Sequence, residues 1–96
     1  MNIDVIIGCI NGDERSRRSF YNTYANKIFG ICRRYIWNST DAEDVFQEAF
    51  INIFNSLDKF DSQKGNLEAW ISRVAINSAL MWLRKNAKLK NEDSRD

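Results

Sequence analysis

The sequence predicts an all-α fold, a compact bundle of about four helices with no sheet. Three observations carry this. The chain has no proline, and its four glycines (Gly8, Gly12, Gly30, Gly65) leave long stretches with nothing to break a helix. Apolar residues recur at spacings of three and four, and no run alternates with a period of two. Good capping residues, Asp13, Thr40 and Asn66, stand where the periodic stretches begin. At 96 residues, 44% hydrophobic and 28% charged, the chain reads as one ordinary globular domain with a modest core, not as a disordered or low-complexity segment.

The first helix is expected over Ile3–Ile10, ended by Asn11-Gly12, with Gly12 in the left-handed position that follows a helix. Asp13 caps a long second helix reaching about Trp37. Its buried stripe is Phe20, Tyr24, Ile28, Ile31 and Tyr35. Gly30 interrupts this helix at a cost of about 1 kcal/mol against alanine, which close packing against a neighbour would explain. Asn38-Ser39-Thr40 forms the connection, and Thr40 with Glu43 has the pattern of a capping box.

The third helix, 41–57, presents a wide apolar face of Val45, Phe46, Ala49, Phe50, Ile53, Phe54 and Leu57. Asp44, Gln47, Glu48 and Ile51 lie on or beside its remaining surface. Asp61 to Asn66 is a polar loop, and Asn66 caps the fourth helix. There Leu67, Ile71, Val74, Ser78 and Trp82 line one side. At about 100° per residue, Trp70, Arg73, Asn77 and Arg84 form a separate stripe roughly 120° away. A purely structural helix has no need of that stripe.

The net charge of +1 conceals a strong asymmetry. No Lys or Arg occurs between Arg34 and Lys59, and Asp41, Glu43, Asp44, Glu48 and Asp58 make that stretch wholly acidic. From Ser62 to Lys90, the cations Lys64, Arg73, Arg84, Lys85, Lys88 and Lys90 oppose only Glu68. Such a distribution allows nucleic-acid binding that the average does not suggest.

Several function classes are disfavoured. Cys9 and Cys32 stand among apolar neighbours and are expected as buried free thiols. Two cysteines with no histidine do not make a zinc site, so no metal or other cofactor is expected. No nucleophile is paired with a base, so the chain is not expected to be an enzyme. The run Val5–Ile10 is too short for a signal peptide and nothing approaches a membrane span, so a cytoplasmic protein without membrane insertion is expected.

Four features hold alternatives. The acidic helix is either a solvated, well-capped face or a docking surface for a basic partner helix, with Gln47 and Glu48 as acceptors and Ile51 or Phe54 as apolar anchor. A metal site of Asp41, Asp44 and Glu48 is the weaker third reading, because the cap already explains the acids. The loop Phe60-Asp61-Ser62-Gln63-Lys64-Gly65-Asn66 is a connection, or a place where a phosphate or unstacked base approaches the backbone. Trp70 is core, or a stacking platform beside Arg73. The cations of the last turns, Arg84 and Lys85 among them, are helix-end charges or phosphate contacts.

Taken together, these residues resemble region 2 of a bacterial sigma factor of the extracytoplasmic-function (ECF) group. Three blocks carry the resemblance: Gly12-Asp-Glu with Phe20 and Tyr24, Asp41-Ala-Glu-Asp-Val-Phe-Gln-Glu-Ala-Phe50, and Trp70-Ile-Ser-Arg-Val-Ala-Ile-Asn77. The resemblance covers about Ile3 to Lys90. It implies a domain over residues 1–90, and a polar tail over 91–96 that starts a missing linker.

The resemblance also implies roles. Asp44, Gln47, Glu48, Ile51 and Phe54 would dock on the clamp helices of the beta-prime subunit of core RNA polymerase. The loop from Phe60 to Asn66, with Asn77 beneath it, would capture a base flipped from the non-template single strand of the promoter −10 element. Trp70 and Arg73 would lie at the upstream edge of the melted region. An anti-sigma factor is a further implied partner. A complete member continues into a helix-turn-helix domain that reads the −35 element, so the resemblance implies an excised or partial protein here. Ile71 stands where primary sigma factors place a second tryptophan, which fits a group that melts DNA less readily. The competing reading is a helical protein-interaction module that never touches DNA.

Overall fold

A computed structural model of the protein describes the backbone of residues 1–93 and the side chains of residues 1–87. The chain folds as α1 (Ile3–Ile10), α2 (Glu14–Tyr35), α3 (Ser39–Ser56), a 3-10 turn (Leu57–Lys59) and α4 (Leu67–Asp93). No strand occurs among the described residues. The side chains of Lys88 and Lys90, and residues 94–96 altogether, lie outside the described residues; of the stretch expected as a tail, 91–93 continues the α4 backbone.

Capping groups set most boundaries. Asn2 Oδ1 accepts from the Asp4 amide at 2.9 Å to open α1. Gly12, at φ +83°, turns the chain out of that helix in a conformation costly to any residue with a Cβ. Asp13 opens α2, its Oδ2 accepting from the Ser16 amide at 2.9 Å and from the Ser16 hydroxyl at 2.8 Å. Those two bonds hold the Asp13 carboxyl below its ordinary pKa.

The start of α3 corrects an expectation. Asn38, not Thr40, is the cap: its Oδ1 accepts from the Asp41 amide at 3.1 Å, and the helix begins at Ser39. Asparagine ranks above threonine as a cap and stands two residues earlier, so Thr40 falls inside the first turn and no capping box with Glu43 forms. α2 likewise ends at Tyr35, two residues short of Trp37. Ile36 turns off with extended backbone and is buried, filling the end of the core that Tyr35 was expected to occupy. Tyr35 is exposed, and Trp37 is 92% exposed.

The centre of the bundle is α2, which packs against α1, α3 and α4, while α3 and α4 pack against each other. Phe20, Tyr24, Ile28, Ile31 and Cys32 form its buried side. α3 contributes Ala42, Val45, Phe46, Ala49, Phe50 and Ile53, with Leu57 from the 3-10 turn. From α4 the fully covered residues are Ile71, Ala75 and Ala79, with Ser78 6% exposed. Small side chains there let the helix lie close to its neighbours. Leu67, Val74 and Trp82, expected on that side, are half-buried at its margins.

An aromatic cluster ties α2 to α3. Phe20 lies 4.9 Å from Tyr24 and 5.5 Å from Phe54, and Phe50 lies 5.2 Å from Phe46, all tilted or edge-on. Gly30 does not mark a close approach. A Cβ built there meets nothing within 4 Å, so the packing reason expected for it is absent. The close approach is at Gly8, where a Cβ would run into Ser16 Oγ and lie 2.7 Å from Ser16 Cβ.

Candidate functional site

The 3-10 turn and the loop after it end α3 and aim the chain at the start of α4. Phe60 N–H donates to the Leu57 carbonyl at 3.1 Å, which closes the turn. Asp61 then organises the loop: its Oδ1 accepts from Gln63 N–H at 2.9 Å and its carbonyl from Lys64 N–H at 3.0 Å. Asn66 Oδ1 accepts from Ala69 N–H at 2.7 Å, and α4 begins. A seven-residue connection without regular structure is thus held by side-chain bonds of its own Asp and Asn.

This loop and the first turns of α4 enclose a recess of about 200 Å³. Its aromatic wall is Phe60 and Trp70, with ring centroids 5.6 Å apart and planes inclined by 51°. Lys59, Lys64 and Arg73 bring three cations to its rim against the single carboxylate of Asp61. Trp70 is half-buried, so one part of the indole packs on the core and the rest faces the recess. An aromatic wall ringed by cations suits a planar π system bonded to a phosphate, as in an unstacked nucleotide.

Of the residues expected to act on nucleic acid, Phe60, Asp61, Lys64, Gly65, Asn66, Trp70 and Arg73 come together at the recess. Ser62 faces the other side, lining a recess of about 670 Å³ with Met1, Ile3, Ile6 and Tyr24. Gln63 is exposed at the loop tip. Asn77 and Arg84 are exposed further along α4, and neither lines this recess. Lys85 faces α3 instead, in a groove with Asp44 and Glu48. Lys59 is a rim residue that the sequence reading missed. Its signal was its place directly before Phe60, in the gap between the helix expected to end at Leu57 and the loop expected to begin at Phe60.

On α3, Asp44, Gln47, Glu48 and Ile51 form one exposed face, with Ile51 54% exposed. Phe54 differs. It is half-buried against Phe20 and Phe50, and the guanidinium of Arg17 sits 5.0 Å from its ring centroid. Arg17 also donates from Nε to the Cys9 carbonyl at 3.1 Å, so it binds α1, α2 and α3 together over Phe54. No group of three or more His, Cys, Asp or Glu side chains that could hold a metal ion occurs among the described residues. Cys9 and Cys32 are free, buried thiols whose pKa values burial pushes up. Among the described residues, no helix is long and apolar enough to cross a membrane.

Known proteins resemble this chain in sequence and in fold. The family model described as Sigma-70 region 2 matches residues 20–89. The chain is 34% identical over 74 residues to the ECF RNA polymerase sigma factor SigW of Bacillus subtilis, covering 77% of this chain and 39% of that protein. It is 31% identical over 83 residues to the ECF RNA polymerase sigma-E factor of Haemophilus influenzae, covering 85% of this chain and 43% of that one. The chain therefore spans about two fifths of the length of these relatives. Among solved structures it resembles an engineered region 2 of sigmaE in complex with GTAAAA, with a TM-score of 0.76, 30% identity, and 88% of this chain and 86% of that one covered.

Proposed function

The chain belongs to the Sigma-70 region 2 family, and on that premise we propose that it is the promoter-opening domain of an ECF sigma factor. In this reading α3 binds core RNA polymerase through Asp44, Gln47, Glu48 and Ile51, on the clamp helices of the beta-prime subunit, with Phe54 supporting that face from beneath. The loop recess receives a base from the non-template strand of the −10 element. The protein works as a binding module in the cytoplasm, not as an enzyme, and an anti-sigma factor is a partner that this surface would also serve.

The mechanism is base capture. Breaking a base pair and unstacking one base costs a few kcal/mol, and the Phe60–Trp70 wall recovers part of it by stacking, at about 1–3 kcal/mol per base. Lys59, Lys64 and Arg73 hold the flanking phosphates. Polymerase binding supplies the remainder by presenting the strand to the loop. Asn77 and Arg84 extend the exposed stripe along α4 and would guide the strand or duplex beyond the captured base.

The single observation that carries this reading is the aromatic recess ringed by Lys59, Lys64 and Arg73. The test compares binding of the single strand GTAAAA, the same strand in a duplex, and a scrambled single strand. The expected order is single strand over duplex and scramble, with affinity falling as salt rises. Equal binding of all three that is also insensitive to Trp70→Ala would defeat base capture at the recess. Loss of core-polymerase binding in Glu48→Lys tests the second surface.

A further inference from the structure

α3 and α4 leave between them a groove of about 320 Å³ whose two walls differ in character. Asp44, Glu48 and Asn52, spaced by four along α3, form an acidic and polar wall above Val45. Met81, Trp82 and Lys85 on α4 form an apolar wall with one cation, and Met81 is 64% exposed. No direct ion pair joins the two walls: among the described residues the only one within 4.0 Å is Lys27–Glu68, elsewhere in the bundle. Opposite charges on opposing walls over an apolar floor are what an amphipathic helix with its own charge pattern complements.

Lys85 is the informative residue. It stands seven residues, about two turns, from Ser78, so it leaves α4 on the side facing α3. Arg84 stands seven residues from Asn77 and leaves on the exposed stripe. Adjacent cations therefore serve different surfaces.

We infer that the protein-docking surface is this two-helix groove rather than the face of α3 alone. Its occupant is a partner helix carrying a basic side chain for Asp44 and Glu48, an acidic one for Lys85, and an aliphatic one for Met81 and Trp82. The inference rests on the proposed reading that α3 docks core RNA polymerase, and it removes Lys85 from the strand-binding set.

The test measures affinity for core RNA polymerase and for the single strand GTAAAA in four proteins: wild type, Glu48→Lys, Lys85→Glu and Met81→Ala. Ionic strength is set near 0.15 M, where charges more than about 8 Å apart are largely screened. Far-UV circular dichroism confirms folding; Lys85, Glu48 and Met81 are all exposed. The inference expects Lys85→Glu and Met81→Ala each to weaken polymerase binding by about tenfold while strand binding stays within about twofold. Loss of polymerase binding in Glu48→Lys alone, with the two α4 variants unchanged, overturns the groove but keeps α3 as the docking face. So does Lys85→Glu weakening the strand as much as the polymerase. A folded wild type that does not bind polymerase overturns both readings.

Discussion

Asn52 Nδ2 donates to Ser78 Oγ at 2.9 Å, and Ser78 Oγ donates in turn to the Val74 carbonyl at 2.9 Å. This chain of two bonds crosses from α3 to α4 beside the groove. It is a polar tie beside the buried Ala75 and Ala79 of α4, and it sets the proposed polymerase-facing helix relative to the proposed strand-facing one.

Ser78→Ala and Asn52→Ala should each destabilise the fold by about 1 kcal/mol, the usual net value of a partly buried hydrogen bond. Urea unfolding of both single variants and the double variant gives the coupling. A double variant no worse than either single one is the expected result. Strict additivity would mean that the bond contributes nothing.

Two glycines should respond oppositely to alanine. Gly30 is exposed in the middle of α2 with open space where a Cβ would stand, so Gly30→Ala should add about 0.5–1 kcal/mol and raise Tm by several degrees. Gly8→Ala forces a methyl onto Ser16, whose hydroxyl is committed to Asp13, and should destabilise by about 1–3 kcal/mol. Thermal melts of the two variants decide both signs at once.

At the recess, Trp70→Ala and Phe60→Ala should each weaken single-strand binding by about 1–3 kcal/mol. If Lys59, Lys64 and Arg73 contact one phosphate each, the log–log salt slope is about −2, and Arg73→Ala reduces it by about 0.7. Titrations of the strand at four salt concentrations measure both quantities. An unchanged slope in Arg73→Ala would place that guanidinium off the backbone of the strand.

The thiols predict a pH dependence. Burial raises the pKa of Cys9 and Cys32 above the ordinary 9.0, so the native state keeps protons that the unfolded chain releases. Their contribution to stability is complete below pH 9 and is lost as pH rises from there towards the folded-state values. Tyr24, raised by burial and then by Glu68, adds the same sign above its ordinary 10.0. Denaturant unfolding should weaken progressively above pH 9, and Cys9→Ser and Cys32→Ser should flatten that decline. At neutral pH both thiols should react with a thiol reagent only as fast as the fold opens.

Much of this architecture was legible because its signals are local. A helix start needs one acceptor at one position, and Asp13 and Asn66 stand where the chain has no better candidate nearby. Thr40 failed because Asn38, two residues away, competes for the same role, and a motif match does not rank neighbours. Gly30 misled for a related reason: a helical glycine is noticed in sequence, but whether a neighbour lies against it depends on which way α2 faces. The recess was half legible. The loop, Trp70 and Arg73 are close in sequence, whereas Lys59 reached the rim only through the 3-10 turn that ends α3.

By itself the sequence determined the helical class, the order of the elements, the caps at Asp13 and Asn66 and the separation of an acidic helix from a basic, aromatic one. Each of these follows from interactions within a few residues, where spacing along the chain and spacing in space are nearly the same thing. Tertiary structure alone decided that Phe54 lies beneath Arg17, that Ile36 rather than Tyr35 closes the core, and that Lys85 faces Asp44 and Glu48 while Arg84 does not. Those are outcomes of how α2, α3 and α4 pack. The rotation of one helix against another is set by the combined shape of many side chains far apart in sequence, so no short motif can carry it.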